Sequence, residues 1–258
     1  MLMKIDWRTF RSDKNFFLKY FFMQMVTSLL LMCGLVLLRD VSSMQLTWQP
    51  ELFYLLPLAF VLGIQLPALL HNAVHFNIKP KWLNEIIGEL GGFFVLFGLG
   101  PFRISHFLHH AFSDSDRDPH PPLGLKFFPF LVQTQLNTIQ VIREEFLNRH
   151  RRDWISHAIL FTEMSFYYVS LLARVGVWIF ALGPNLFVYF YLPAYITNVL
   201  VFAHINYATH ETQPDGSVVI VNLNRTWYHK LVNVIGSGVY FHKNHHERPH
   251  LYNPMRSA

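Results

Sequence analysis

The chain alternates between long apolar runs and polar stretches. Phe21 to Leu38 is an uncharged run of eighteen residues, long enough to cross a bilayer with little tilt. A short polar loop, Arg39 to Glu51, leads into a second run, Leu52 to Leu70. It contains Pro57 and Pro67, as membrane helices tolerate. Ile155 to Ala203 carries few charges over 49 residues, enough for a helical hairpin turning near Gly183-Pro184-Asn185. The pattern predicts an all-α protein, a four-span transmembrane helical bundle with spans near 21–38, 52–70, 156–180 and 185–203. Glu163 and Arg174 interrupt the third span. They stand eleven residues apart, three turns of one helix, so either both face the bundle interior or Arg174 snorkels to the far interface.

The remaining stretches predict a helical cap over 71–154 and 204–258, within one domain covering 1–258. Trp82 to Phe102 is apolar but broken by Glu85, Glu89 and five glycines, which predicts a buried or half-membrane helix pair and not a crossing. Ser113 to Pro122 is a turn-rich break. Phe128, Val132, Leu136, Ile139, Ile142 and Phe146 then recur at helical spacing, predicting an amphipathic helix lying on the membrane. It ends in the basic cluster Arg149, His150, Arg151, Arg152.

Composition agrees with a membrane protein. Hydrophobic residues make up 52% and charged residues 14%, against about 25% charged in a soluble domain. Net charge is +5, with the basic residues beside the apolar runs. That points to anionic lipid headgroups and not to nucleic acid. Lys4, Arg8, Arg11, Lys14 and Lys19 precede the first run, which is too long for a signal-peptide core and predicts a retained anchor. Basic residues also follow span two and close the amphipathic helix, while the two hairpin loops carry almost none. By the positive-inside rule, both termini and the whole cap are expected on the cytoplasmic side. The single cysteine, Cys33, lies inside an apolar run, leaving no disulfide framework and no thiolate metal site.

The cap holds the chemistry. His242, His245 and His246 form a His-x-x-His-His box, and His106, His109 and His110 repeat it. His71 and His75 stand one turn apart just after span two. Positions i, i+3 and i+4 share a helix face, so such imidazoles can converge on one centre. With 15 histidines in 258 residues, a lone His-x-x-x-His carries no information, whereas a repeated His-x-x-His-His does. Eight nitrogens exceed what one zinc takes and suit two metals of larger coordination number. Two iron ions fit best, serving O2 activation and C–H abstraction. A histidine-rich metal transporter or zinc receptor would instead place its ligands within the spans, along a path.

These boxes resemble those of the membrane fatty acid desaturases, whose motifs are shared with membrane hydroxylases and carotenoid ketolases. The resemblance runs from about His71 to Pro254. It includes Trp82-Leu83-Asn84 after the first box, Asp118-Pro119 after the second, and His242-Lys-Asn-His-His-Glu-Arg-Pro249. Asn206-Tyr-Ala-Thr-His210 resembles the motif that supplies acyl-CoA desaturases with a ninth ligand, so the resemblance implies His210 as a ligand and Asn206 as a water-mediated one. It further implies a di-iron centre, O2 as co-substrate, and a lipid or acyl substrate in the bilayer. A separate electron donor of ferredoxin or cytochrome b5 type is implied too, since no His-Pro-Gly-Gly motif is present. Two departures stand out. Boxes two and three are spaced more as in the ketolases, and Phe76 follows the first box where the family usually has Gly.

For the other histidines the expectations are plainer. His204, six residues before His210, lies off that helix face and is expected to pack or to support a ligand. His120, His150, His157 and His229 are expected to be solvated or interfacial, and His250 has a minor supporting role at most. Among the acidic residues of the break, Asp118 is the expected orienter of a ligand imidazole. Asp114 and Asp116 read as turn residues.

Overall fold

The computed structural model describes residues 6–122 and 124–256; Lys4 of the basic N-terminal cluster lies outside them. In chain order the elements are α1 (Trp7–Ser12), α2 (Phe16–Leu38), α3 (Leu56–Val74), α4 (Leu83–Phe94), α5 (Leu99–Phe112), α6 (Phe127–His150) and α7 (Trp154–Leu182). A short α8 (Pro184–Leu186) passes through a π-turn into α9 (Leu192–Thr209). Strands β1 (His210–Thr212) and β2 (Val218–Ile220) and helices α10 (Trp227–Ile235) and α11 (His242–Glu247) complete the chain.

Among the described residues, four stretches are long and apolar enough to cross a membrane: Phe16–Leu38, Pro50–Val74, Trp154–Leu182 and Pro184–Thr209. Each contains one expected span and extends beyond it. Only 11% to 28% of their most apolar windows is buried. So much uncovered apolar surface requires lipid. Helices α4 and α5 are bent by 97° at their junction, matching the expected broken pair.

The chain divides into two compact units, Met1–Phe60 with Arg143–Tyr195 and Val61–Ile142 with Ile196–Ala258. In the first, α2 and α7 pack along their length. Phe21 meets Tyr167 and Phe22 meets Phe166 at centroid distances of 5.4 and 5.6 Å. Asp153 caps the start of α7 by accepting from the Ser156 N–H at 2.8 Å. At its other end Gly183, at φ 80°, ends the helix, and Arg39 donates to the Ala181 carbonyl at 2.6 Å. Glu163 and Arg174 are both buried, so the interior reading holds for each.

The second unit positions the histidines. A side chain at Gly92 would strike the Leu99 backbone nitrogen at 2.6 Å, and one at Gly91 would reach the Leu70 side chain at 2.9 Å. The glycines that break the apolar run are therefore what lets α4 lie against α3 and fold back onto α5. Helix α6 exposes Phe128, Val132 and Leu136 while burying Thr134 and Thr138. Gln133, Gln135 and Gln140 are exposed alongside the apolar residues, and a mixed apolar and polar exposed face suits a helix lying at a membrane surface. Phe146, expected in the same stripe, is buried instead.

Four asparagines pin the loops that lead to the boxes. Buried Asn84 accepts from the Ile78 N–H and donates to the Ile78 and Lys81 carbonyls at 2.7–3.0 Å. Asn77 donates to the Pro249 carbonyl at 2.9 Å. Buried Asn233 donates to the Leu223 carbonyl and accepts from the Tyr240 N–H. Asn244 donates to the Pro254 carbonyl at 3.0 Å and accepts from Asn222 at 2.7 Å. Helix α11 has six residues, too few to persist alone, and these bonds hold it in place.

Candidate metal centre

Four pieces of chain bring the histidines together. His71 is on the last turn of α3 and His75 follows its end. His106, His109 and His110 are on α5, and His242, His245 and His246 on α11. His210 departs from the expected helical placement, because α9 ends at Thr209 and His210 opens β1. It pairs with Ile220 of β2, and the Val221 N–H donates to the Thr209 carbonyl at 2.9 Å, so the hairpin fixes where His210 leaves the helix.

Eight of the nine imidazoles sort into two groups. His71, His75, His106 and His245 form one, and His109, His210, His242 and His246 the other, with one potential ligand nitrogen of each residue within 4.8 Å of the rest of its group. His110 adjoins both. Its Nε2 is 3.0 Å from His106 Nε2 and 2.9 Å from His245 Nε2, and its ring stacks on His246 at 4.3 Å. Within groups, Nε2 pairs stand 2.8 Å apart for His75 and His106, 3.2 Å for His242 and His210, and 3.1 Å for His246 and His242.

That packing of nitrogen against nitrogen has a physical meaning. Two nitrogens bound at right angles to one cation, each at about 2.1 Å, stand about 3 Å apart. The His109 Nδ1 faces Asp118 at 2.9 Å and the His210 Nδ1 faces Asp114 at 2.8 Å. A carboxylate accepts, so both rings carry their proton on Nδ1 and turn a bare Nε2 inward. The His109 Nε2 is buried with no hydrogen-bond partner among the described residues, as a nitrogen reserved for a metal would be.

Electrostatics favour the ligand form of His75, His242, His245 and His246. Burial, then the nearby Arg103 charge, pushes His75 down to about 4. Burial and the adjacent His109 and His210 rings push His246 down to about 3. His242 and His245 are driven well below the usual histidine range by burial and by their imidazole neighbours. Neutral imidazole is the form that binds metal. The donor set therefore fits a pair of metals that prefer nitrogen ligands.

Asp118 is buried against His109, and it also accepts from the backbone N–H of Asp114 and of His120. Asp114, expected to be a turn residue, pairs with His210. His120 is not solvated: it is half-buried beside His109 at 5.6 Å, and burial lowers it to about 4. His204 pairs through Nδ1 with the buried Tyr240 hydroxyl at 2.6 Å, the packing alternative of the two expected for it. Asn206 is half-buried on the last turn of α9.

The model of the fatty acid desaturase family matches residues 46–254. The chain belongs to the fatty acid desaturase family. The match covers most of the chain, from the loop before the second span through the third box, and takes in all nine histidines. It begins some 25 residues before His71, where the resemblance first showed, because the second span belongs to the family pattern as well as the boxes. Comparison with curated proteins and with solved structures gave no match. Desaturase-family proteins are membrane oxidoreductases built around two irons. The two four-histidine groups are the feature of this chain that meets that description.

Proposed function

We propose that this chain is a membrane oxidase that introduces a double bond into a fatty-acyl chain, using O2 and electrons from a separate donor of ferredoxin or cytochrome b5 type. The observation that carries the reading is the sorting of eight imidazoles into two groups of four, with His110 beside them, within a desaturase-family chain. His71, His75, His106 and His245 would hold one iron, and His109, His210, His242 and His246 the other, with His110 completing the first. When bound, such a pair of irons supplies O2 activation and the oxidising power for C–H abstraction.

The protein residues have their own tasks. Asp118 and Asp114 hold His109 and His210 in the Nδ1–H tautomer, and Asn206 contacts the centre through water. The exposed apolar stripe of α6 rests on the bilayer that delivers the lipid substrate. Both termini and the histidine cap face the cytoplasm, as the basic residues beside the spans direct. Desaturation removes a second hydrogen from the neighbouring carbon, whereas hydroxylation returns oxygen to the first. Holding two adjacent methylenes in near-attack geometry favours the former.

Expression in a host of known lipid composition tests the reading. New monounsaturated acyl chains, two mass units lighter than their precursors and formed only with O2, are expected. Products sixteen units heavier, or keto-carotenoids in a pigmented host, would replace it with a hydroxylase or ketolase.

A further inference from the structure

Helix α3 ends in a cap that glycine normally completes. The Phe76 N–H donates to the Ala73 carbonyl at 3.2 Å and the Asn77 N–H to the Asn72 carbonyl at 3.0 Å. This is the paired-bond helix terminus in which the residue after the cap is left-handed, usually Gly. Here that residue is Phe76, at φ 57°, a conformation that a β-carbon disfavours. His75 is the capping residue, so this turn sets the direction of its ring.

Arg103 meets the same turn from α5. Its side chain is fully buried. One guanidinium nitrogen donates to the Ala73 carbonyl at 3.1 Å and another to the Glu85 carboxylate at 2.8 Å. A single residue thus ties together the end of α3, α4 and α5. The Phe76 ring lies over the guanidinium, 4.5 Å from Cζ, a cation–π contact that offsets the left-handed backbone. Arg103 is also one turn before His106, whose Nε2 stands 2.8 Å from that of His75.

We propose that Arg103, covered by Phe76, is the positioning residue of the first histidine group: by holding the last turn of α3 against α5 it sets His75 in register with His106. This rests on the two-metal reading above and deepens it. Phe76, where the family usually has Gly, is then part of the device, its ring supplying a contact that glycine has no atoms to make. Glu85 gains a reason as well, since it balances the buried guanidinium in an otherwise apolar stretch.

The test uses the purified full chain, stripped by chelator and titrated with Co(II), whose visible absorption reports its ligands. Wild type is expected to bind two cobalt ions per chain. Arg103→Gln should keep one site intact and weaken the other by about 10–100-fold, the usual effect of losing an outer partner of a ligand. Its residual spectrum should match that of His75→Ala and not that of His109→Ala. Arg103→Lys should fall between, because an ammonium cannot serve Ala73 and Glu85 in the same fork geometry. Should Arg103→Gln fail to fold, Phe76 remains informative. Phe76→Leu keeps the backbone cost and loses the ring, and should weaken the first site about 3-fold, while Phe76→Trp should restore it. Two unchanged sites in Arg103→Gln would overturn the proposal, as would equal weakening of both sites or a Phe76→Leu variant that titrates like wild type. A wild type that binds fewer than two cobalt ions would instead bring down the two-metal reading itself.

Discussion

The Asp114 carboxylate accepts from His210 Nδ1 at 2.8 Å, joining residues 96 positions apart. One comes from the turn after the second box and the other from the first residue of β1. The bond aims a bare Nε2 at the second histidine group. Asp114→Asn, whose amide can turn an N–H toward the ring, is expected to lower metal affinity at that group by about 10–100-fold. Metal content after dialysis against a graded chelator series measures this.

The two groups should be separable. His71→Ala and His242→Ala are each expected to reduce bound metal from two ions per chain to one and to abolish turnover, with the protein still recovered from the membrane. Span packing and not ligation holds these segments in the bilayer. Elemental analysis of purified protein reads the count. Loss of both ions from either variant would contradict two separable groups.

Acid should destabilise the metal-free protein. His75 at about 4 and His246 at about 3 lie below the unfolded value of 6.5. Below pH 6.5 the unfolded chain therefore binds protons at these rings that the folded chain does not, and stability falls as pH falls. The contribution is complete above 6.5 and is lost progressively down to pH 3–4. Thermal unfolding of the apoprotein in detergent across that range should show a steadily falling midpoint. Bound metal should steepen the fall, since protons compete for the same nitrogens.

Asn84 makes three hydrogen bonds with no solvent exposure. Asn84→Ala leaves one backbone N–H and two carbonyls without that partner, at an expected cost of about 2–4 kcal/mol. Thermal unfolding quantifies the loss, with first-group metal affinity falling alongside it because the pinned loop follows His75.

Topology is testable by cysteine labelling after replacing Cys33, which is exposed on the apolar surface of the first span. Gln45→Cys, on the exposed loop between the first two spans, should react with an impermeant reagent on intact cells. Arg225→Cys, exposed near α10, should react only after lysis. The reverse pattern would invert the orientation.

The spans and boxes were legible because each is a local pattern: an uninterrupted apolar run, or imidazoles spaced to share a helix face. The resemblance to the desaturases reached His210 as well, but not its backbone. Asp215-Gly216 ahead of the β-branched Val218, Val219 and Ile220 is a hairpin signal, and it accounts for the strand that replaces the last turn of α9. Asp118 could be singled out because its imidazole, His109, is only nine residues away, whereas Asp114 read as a turn residue because the ring it meets, His210, returns 96 residues later. His120 read as solvated or interfacial because it has no spacing partner in the sequence, and its place beside the His109 ring follows from the turn that carries Asp118. Phe76 was visible as a departure, yet its reason lay in Arg103, 27 positions away and on another helix.

The 97° bend between α4 and α5 bears on a question of parity. His71 ends one membrane-crossing helix, and His106 stands on α5 after the bend, yet both belong to one group of nitrogens within 4.8 Å. A bilayer crossing by the bent pair would put those two rings on opposite faces, so the pair must turn back on the side it came from. Among the described residues the apolar helices long enough to cross then number four, an even count, on which the proposed placing of both termini on one face rests. The same accounting delivers the ends of the second and fourth spans to one compartment. A sharp kink in a glycine-rich segment thus keeps a nine-histidine centre from being divided by a membrane.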